Sequence, residues 1–152
     1  MILRAGDTIS GQEGKATAII DGQVRDMFYV KTLEATLEKN KLEIRTLGKR
    51  GVQHKTTGWS GSGSMTIYYV TSEFLNMAKR YAKDGVDTYF TVTIENSDPT
   101  STIGTQTVSL FNVNLDAIPV AKLSVEDEVL ETDMDFTFDD LDVISTFNDP
   151  IV

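Results

Sequence analysis

A chain of 152 residues is the size of one domain and can bury a hydrophobic core. It contains no cysteine, which excludes a disulfide framework and a thiolate metal site, and no apolar run long enough to span a bilayer, so no membrane anchor is expected. The formal net charge of −9 argues against a module that binds nucleic acid by neutralising phosphates.

Residues 1–14 read as a flexible lead-in punctuated by Gly6, Asp7, Ser10, Gly11 and Gly14. They lack the basic-then-apolar pattern of a secretory signal. With no cysteine, folding in a cytoplasm is the simplest expectation, and a place outside the cell is also compatible. Lys15 to Asp21 is a short strand, and Asp21-Gly22 is a type I′ hairpin turn. From Met27 to Leu37, apolar residues recur at odd positions, while Thr32, Glu34, Thr36 and Glu38 take the even ones. That period of two marks a strand with one buried face. Lys39-Asn40 reads as a turn, and Leu42 and Ile44 alternate with Glu43 and Arg45 as a second hairpin leg.

The stretch from Lys39 to Gly58 is set apart by charge. It holds six bases (Lys39, Lys41, Arg45, Lys49, Arg50 and Lys55) against the single acid Glu43, a net charge of +5 on an otherwise acidic chain. Gly48 and Gly51 interrupt it. Long polar connections inside small domains are uncommon and usually functional or disordered. We read residues 39–58 as an extended arm that reaches another copy of the protein, with Trp59 as an anchor at its base.

Gly58 to Ser64 is rich in glycine and serine but runs into Met65 to Val70 with one parity shared by Gly61, Gly63, Met65, Ile67 and Tyr69. The expectation is one long strand whose glycines mark the close approach of another backbone. A phosphate-binding loop would instead lead into a helix. Ser72 to Asp84 is the one helix. Phe74, Leu75, Ala78, Tyr81 and Ala82 form an apolar stripe, Thr71 or Ser72 supplies a cap, and Gly85 is the stop. Tyr89 to Glu95 is a strand, and residues 96–104 are a turn-rich loop. Between Thr107 and Ile118 the apolar residues change parity from Val108 and Leu110 to Phe111 and Val113, which calls for a β-bulge near 110–111. Pro119 ends that strand. Leu130 to Phe138 alternates again, with Glu131, Asp133 and Asp135 along one side. Ten acids and no base lie between Glu126 and Asp149, so this side needs water or foreign cations. Residues from 145 to 152 read as a tail.

The inventory for catalysis is thin. His54 is the single histidine and sits in the arm, so a histidine metal site would need ligands from other chains and a Ser-His-Asp triad would have to borrow its base from the arm. Asp133-x-Asp135 and Asp139-Asp140-x-Asp142 lack the glycine-containing ligand loop of an EF-hand. The expectation is a non-enzyme with no catalytic, metal or cofactor-binding residues. An acidic β-sandwich that binds calcium or carbohydrate is the alternative.

Several stretches then carry a family resemblance: residues 8–14 (TISG-x-EG), EKNK at 38–41, HKTTG at 54–58, GSG at 61–63, VTS at 70–72, VNLD at 113–116 and FTFDDLDV at 136–143. In this order the chain resembles the tail tube proteins of contractile-tailed phages and defective prophages over about residues 8–143. The resemblance implies a mainly β chain: an antiparallel β-sandwich or half-barrel with one flanking helix, forming a single domain over 1–152. It implies six copies closing a ring, and rings stacking into a hollow tube through which DNA passes without specific binding. The implied partners are other copies, a tail sheath protein, and terminator and baseplate proteins. The implied place is the virion tail, assembled in the bacterial cytoplasm. The candidate inter-ring residues are Lys39, Lys41, Arg45, Lys49, Arg50, His54, Lys55 and Trp59. Glu131, Asp133 and Asp135 are candidates for the lumen or for the arm's receptor.

Overall fold

The computed structural model describes the chain apart from residues 1–3, 9, 13, 27–29, 69–71, 127–128 and 150–152. Asp21 and Gly22 both have positive φ, 52° and 78°, the backbone of a type I′ turn. The turn folds β1 (Gly14–Ile20) back on β2 (Gln23–Asp26) as an antiparallel pair. β3 (Val30–Ile44) and β4 (Gln53–Tyr68) then form a hairpin of two long strands. α1 (Glu73–Asp84) follows, and after it β5 (Phe90–Ser97), β6 (Thr105–Leu115), β7 (Glu131–Phe138) and β8 (Asp140–Ser145). The fold is thus mostly antiparallel β with one helix. The strand order is β2-β1-β5-β6-β7-β4-β3, with β8 also on β6.

β6 joins the two halves of this sheet. Its first part pairs with β5 and β8, and Asn114 and Leu115 pair with β7. The change of partner follows the bulge that the parity switch demands. Phe90 faces Val113 while Val92 faces Leu110, so β6 holds one residue more than β5. Asn112 absorbs it with φ of 55°, and Leu110 and Val113 are both buried. The rows Ala18–Val92–Leu110 from one half and Met65–Met134 from the other belong to one core cluster with Phe136 and Phe138.

The glycines of β4 explain how β7 lies so close. A Cβ on Gly61 would fall 2.5 Å from the Phe138 ring, and one on Gly63 would fall 2.4 Å from the Phe136 ring and 2.5 Å from the Glu34 carbonyl oxygen. Each glycine gives its volume to an aromatic ring of the neighbouring strand.

Several expectations need correction. Lys39-Asn40 is not a turn: β3 runs through it to Ile44, and only the pairing shifts between Asn40 and Lys41. Exposed polar residues on both faces erase the period that would have shown the strand continuing. β6 ends at Leu115, short of Ile118 and Pro119. β8 is a strand where the sequence offered only an acidic run. On α1 the buried residue is Met77, whereas Leu75 and Tyr81 of the expected stripe are largely exposed. Ser72 occupies the N-cap without a side-chain cap bond, while Gly85, with φ of 70°, ends the helix as expected. Met27 of the long-strand pattern, Tyr69 and Val70 of the next, and the alternative cap Thr71 lie outside the described residues.

Candidate assembly surfaces

Pairing of β4 with β7 stops at Gly61–Phe138, but β4 continues to Gln53 with β3 as its only partner. The hairpin therefore leaves the body as a two-stranded ribbon and closes through residues 45–52, where Gly48 takes φ of 84°. Trp59 stands at its base, opposite Lys39, with its ring centroid 6.1 Å from that of Phe138. Beyond Trp59 one residue of β4, Thr57, has no counterpart on β3, and its hydroxyl donates to the Asn40 carbonyl. A bulge of this kind twists a ribbon locally.

Every residue from Lys41 to Thr57 is exposed, including Leu42, Ile44 and Leu47. His54 Nε2 lies 4.0 Å from Glu43 Oε1 across the ribbon, an ion pair only when the imidazole is protonated. Lys39, Lys41, Arg45, Lys49, Arg50 and Lys55 make none with a described residue. The structure thus gathers the sequence's arm residues on one projecting element.

The second surface is the outer face of β3, β4 and β7. Register places Thr32, Thr66 and Asp133 in one row, Glu34, Ser64 and Asp135 in the next, and Thr36, Ser62 and Thr137 in a third. Glu131 is tied to Lys31 by an ion pair of 3.0 Å. The Glu131 carboxylate, by hydrogen bond and then by charge, raises the Lys31 pKa above its ordinary value. Asp133 accepts a 2.6 Å hydrogen bond from the Thr66 hydroxyl. Asp135 stands beside Ser64, one strand away from Glu34. The three sequence-predicted acids therefore share a face of hydroxyls and carboxylates. Glu34 and Glu38 share this parity on β3: Glu34 lies in the Ser64–Asp135 row with β4 between it and β7, and Glu38 faces Ser60, beyond the last β4–β7 pair.

A third cluster was not foreseen. Asp98 and Asp7 are buried carboxylates in the loop after β5 and in the single 3-10 turn Ala5–Asp7. Asp98 accepts from the Ser10 amide and from the amide and hydroxyl of Thr100. Asp7 accepts from the Thr102 hydroxyl at 2.6 Å. The Asn148 amide donates to the Ile103 carbonyl, which brings the tail to the same loop. Hydrogen bonds from Thr100 and from Thr102, respectively, are the largest influences holding the Asp98 and Asp7 carboxyls below the usual aspartate range.

His54 is half exposed on the arm, across the ribbon from Glu43. Among the described residues no three histidine or carboxylate side chains converge as metal ligands. Asp139 instead accepts from Asn112, and Asp140 from the Leu141 amide.

Comparison with known proteins assigns this architecture. A family model described as phage tail tube protein matches residues 1–145. Protein XkdM of the phage-like element PBSX of Bacillus subtilis (strain 168) is 44% identical over 149 residues, which is 98% of this chain and 99% of that one. A chain in the cryo-EM structure of the anti-feeding prophage tube-terminating cap shares the fold at a TM-score of 0.70 and 8% identity, covering 96% of this chain and 95% of that one. A chain of the PVC extracellular contractile injection system, solved as a sheath-tube complex in the extended state, matches at 0.67 and 10% identity, over 91% of this chain and 93% of that one. By the family model and by its identity to the PBSX protein, the chain belongs to the phage tail tube protein family.

Proposed function

We propose that this protein builds its tube as closed rings of six copies that stack head to tail, with the β3-β4 arm of one ring engaging the next. The observation that carries this reading is the arm itself. An exposed ribbon whose bases pair with no acid among the described residues suits a contact made by another copy. The acidic chain supplies what such an arm needs, since heterologous stacking sets unlike surfaces of successive rings against each other. β3 is also an edge strand of 15 residues, and edges of that length are ordinarily covered in the working state. Ring closure covers them.

In this reading the face holding Glu34, Glu131, Asp133 and Asp135 lines the lumen. Carboxylates and hydroxyls there repel DNA phosphates and let a duplex slide without adhering. The role is structural rather than enzymatic. Its partners beyond other copies are the sheath around the tube and the terminator and baseplate at its ends, with assembly in the host cytoplasm. Negative-stain microscopy of the purified protein tests the proposal. Six-fold rings or tubes are expected at high concentration; a monodisperse monomer under all assembly conditions would overturn it.

A further inference from the structure

The structure has a cleft of about 460 Å³ between α1 and the segment that follows β6. Met77, Tyr81, Asp87, Thr88, Asp116 and Ile118 contribute to its lining. Three features point to an absent occupant. Tyr81 presents its ring at 61% exposure beside the buried Met77. Thr88 is 8% exposed, and its hydroxyl has no hydrogen-bond partner among the described residues. Buried hydroxyls are almost always satisfied. The charged side chains of the lining, Asp87 and Asp116, are both acids, with no base to neutralise them.

The arm tip has the matching chemistry. Residues 45–52 contain Arg45, Lys49 and Arg50 and no acid. They also contain Leu47, whose side chain is wholly exposed. A fully exposed leucine at the end of a ribbon stabilises nothing in its own subunit, whereas burying one contributes about 1.5–3 kcal/mol. A tip that places the fully exposed Leu47 between Arg45 and Lys49 fits a cleft that places apolar walls between acids.

The same chain cannot make this contact. The ribbon runs eight strand residues, Gln53 to Ser60, beyond the last β4–β7 pair, or about 26 Å at roughly 3.3 Å per residue. The cleft lies at Leu115, whose β7 neighbour is Phe136, back inside the body. We propose that the cleft between α1 and residues 115–118 is the receptor for the arm tip of a second copy. In that contact Leu47 lies against Met77, Tyr81 and Ile118, with Lys49 and Arg50 near Asp87 and Asp116. This rests on the stacked-ring reading and names the surface that receives the arm.

Cysteine cross-linking separates the two, because the natural chain has no cysteine to interfere. Leu47→Cys is combined with Ala117→Cys in the cleft, or with Asp135→Cys on the acidic face, and assembled protein is oxidised. The Leu47/Ala117 pair is expected to give a ladder of covalent multimers, since each copy donates one tip and one cleft; each single variant should stop at dimers or below. Tubes that form normally but cross-link through Asp135, or through neither pair, overturn the cleft as receptor and leave the tube standing. An unmodified protein that never assembles overturns both.

Discussion

Gly63 is the position where one carbon atom decides how closely three strands pack. Its missing Cβ is 2.4 Å from the Phe136 ring and 2.5 Å from the backbone oxygen of Glu34. At Gly61 the obstacle is the Phe138 ring alone, a side chain with no backbone atom beside it, and at Gly58 only the Asn40 side chain comes within 4.0 Å. Overpacking that displaces backbone costs about 1–3 kcal/mol. Gly63→Ala is therefore expected to destabilise the unassembled protein by about 2 kcal/mol, Gly61→Ala by less, and Gly58→Ala by little, as read from urea unfolding. Equal effects at the three positions would contradict this account. The sequence marked Gly61 and Gly63 as sites where another backbone comes close, which holds at Gly63 with the Glu34 carbonyl, whereas at Gly61 the close neighbour is a ring. It did not name the rings that fill the space, because β7 lies some seventy residues on and register is a property of the pair. The same limit hid the helix's true contact. Met77 falls between members of the expected stripe, and only the tertiary surface selects it over Leu75.

At the scale of elements, the loop after β5 is held to the N-terminal segment by Asp7 and Asp98. Both carboxyls are held below the usual aspartate range, first by hydroxyl donors and then by backbone amides. A carboxylate depressed in the folded state contributes stability that is complete above its unfolded value, about pH 3.9. That contribution is lost as pH falls through the lower folded values. Carboxyl NMR of the unassembled protein should show Asp7 and Asp98 titrating below the exposed aspartates, with the Ser10 and Thr100 amide resonances moving at the same midpoint as Asp98. Ordinary titration at Asp98 would mean that the lead-in is not fastened there. Residues 96–104 read as turns from their composition alone, but Ser10 and Asp98 are 88 residues apart, and no local pattern links them. The bulge of β6 was legible because its cause is local: two buried residues, Leu110 and Val113, of opposite parity in one strand. β8 was not. Leu141 and Val143 alternate with Asp140 and Asp142, but the run is short and only Leu141 packs against the core, so its pairing with β6 is what defines the strand.

At the scale of the whole molecule, the excess of bases over residues 39–58 was readable from charge alone, but its shape was not. A stretch of alternating polar residues looks the same as a loop or as a strand exposed on both faces. The structure makes it a ribbon that carries Lys49 and Arg50 in the connecting segment at its far end. That placement gives the stacking proposal a direct consequence. Ring closure, as proposed, uses sheet edges inside one layer, and the tip residues take no part in it. Reversing Lys49 and Arg50 to Glu therefore should leave single rings intact while elongation fails, because two like-charged groups would then meet the acids of the next ring. Raising salt should weaken elongation of the natural protein in the same direction, since exposed pairs are screened over about 10 Å at 0.1 M and less distance above it. The reversed variant should respond oppositely and regain some elongation as salt screens the repulsion. Electron micrographs across a salt series, scored for rings against tubes, read both trends. Tubes of normal length from the reversed variant at low salt would show that these charges do not join successive rings.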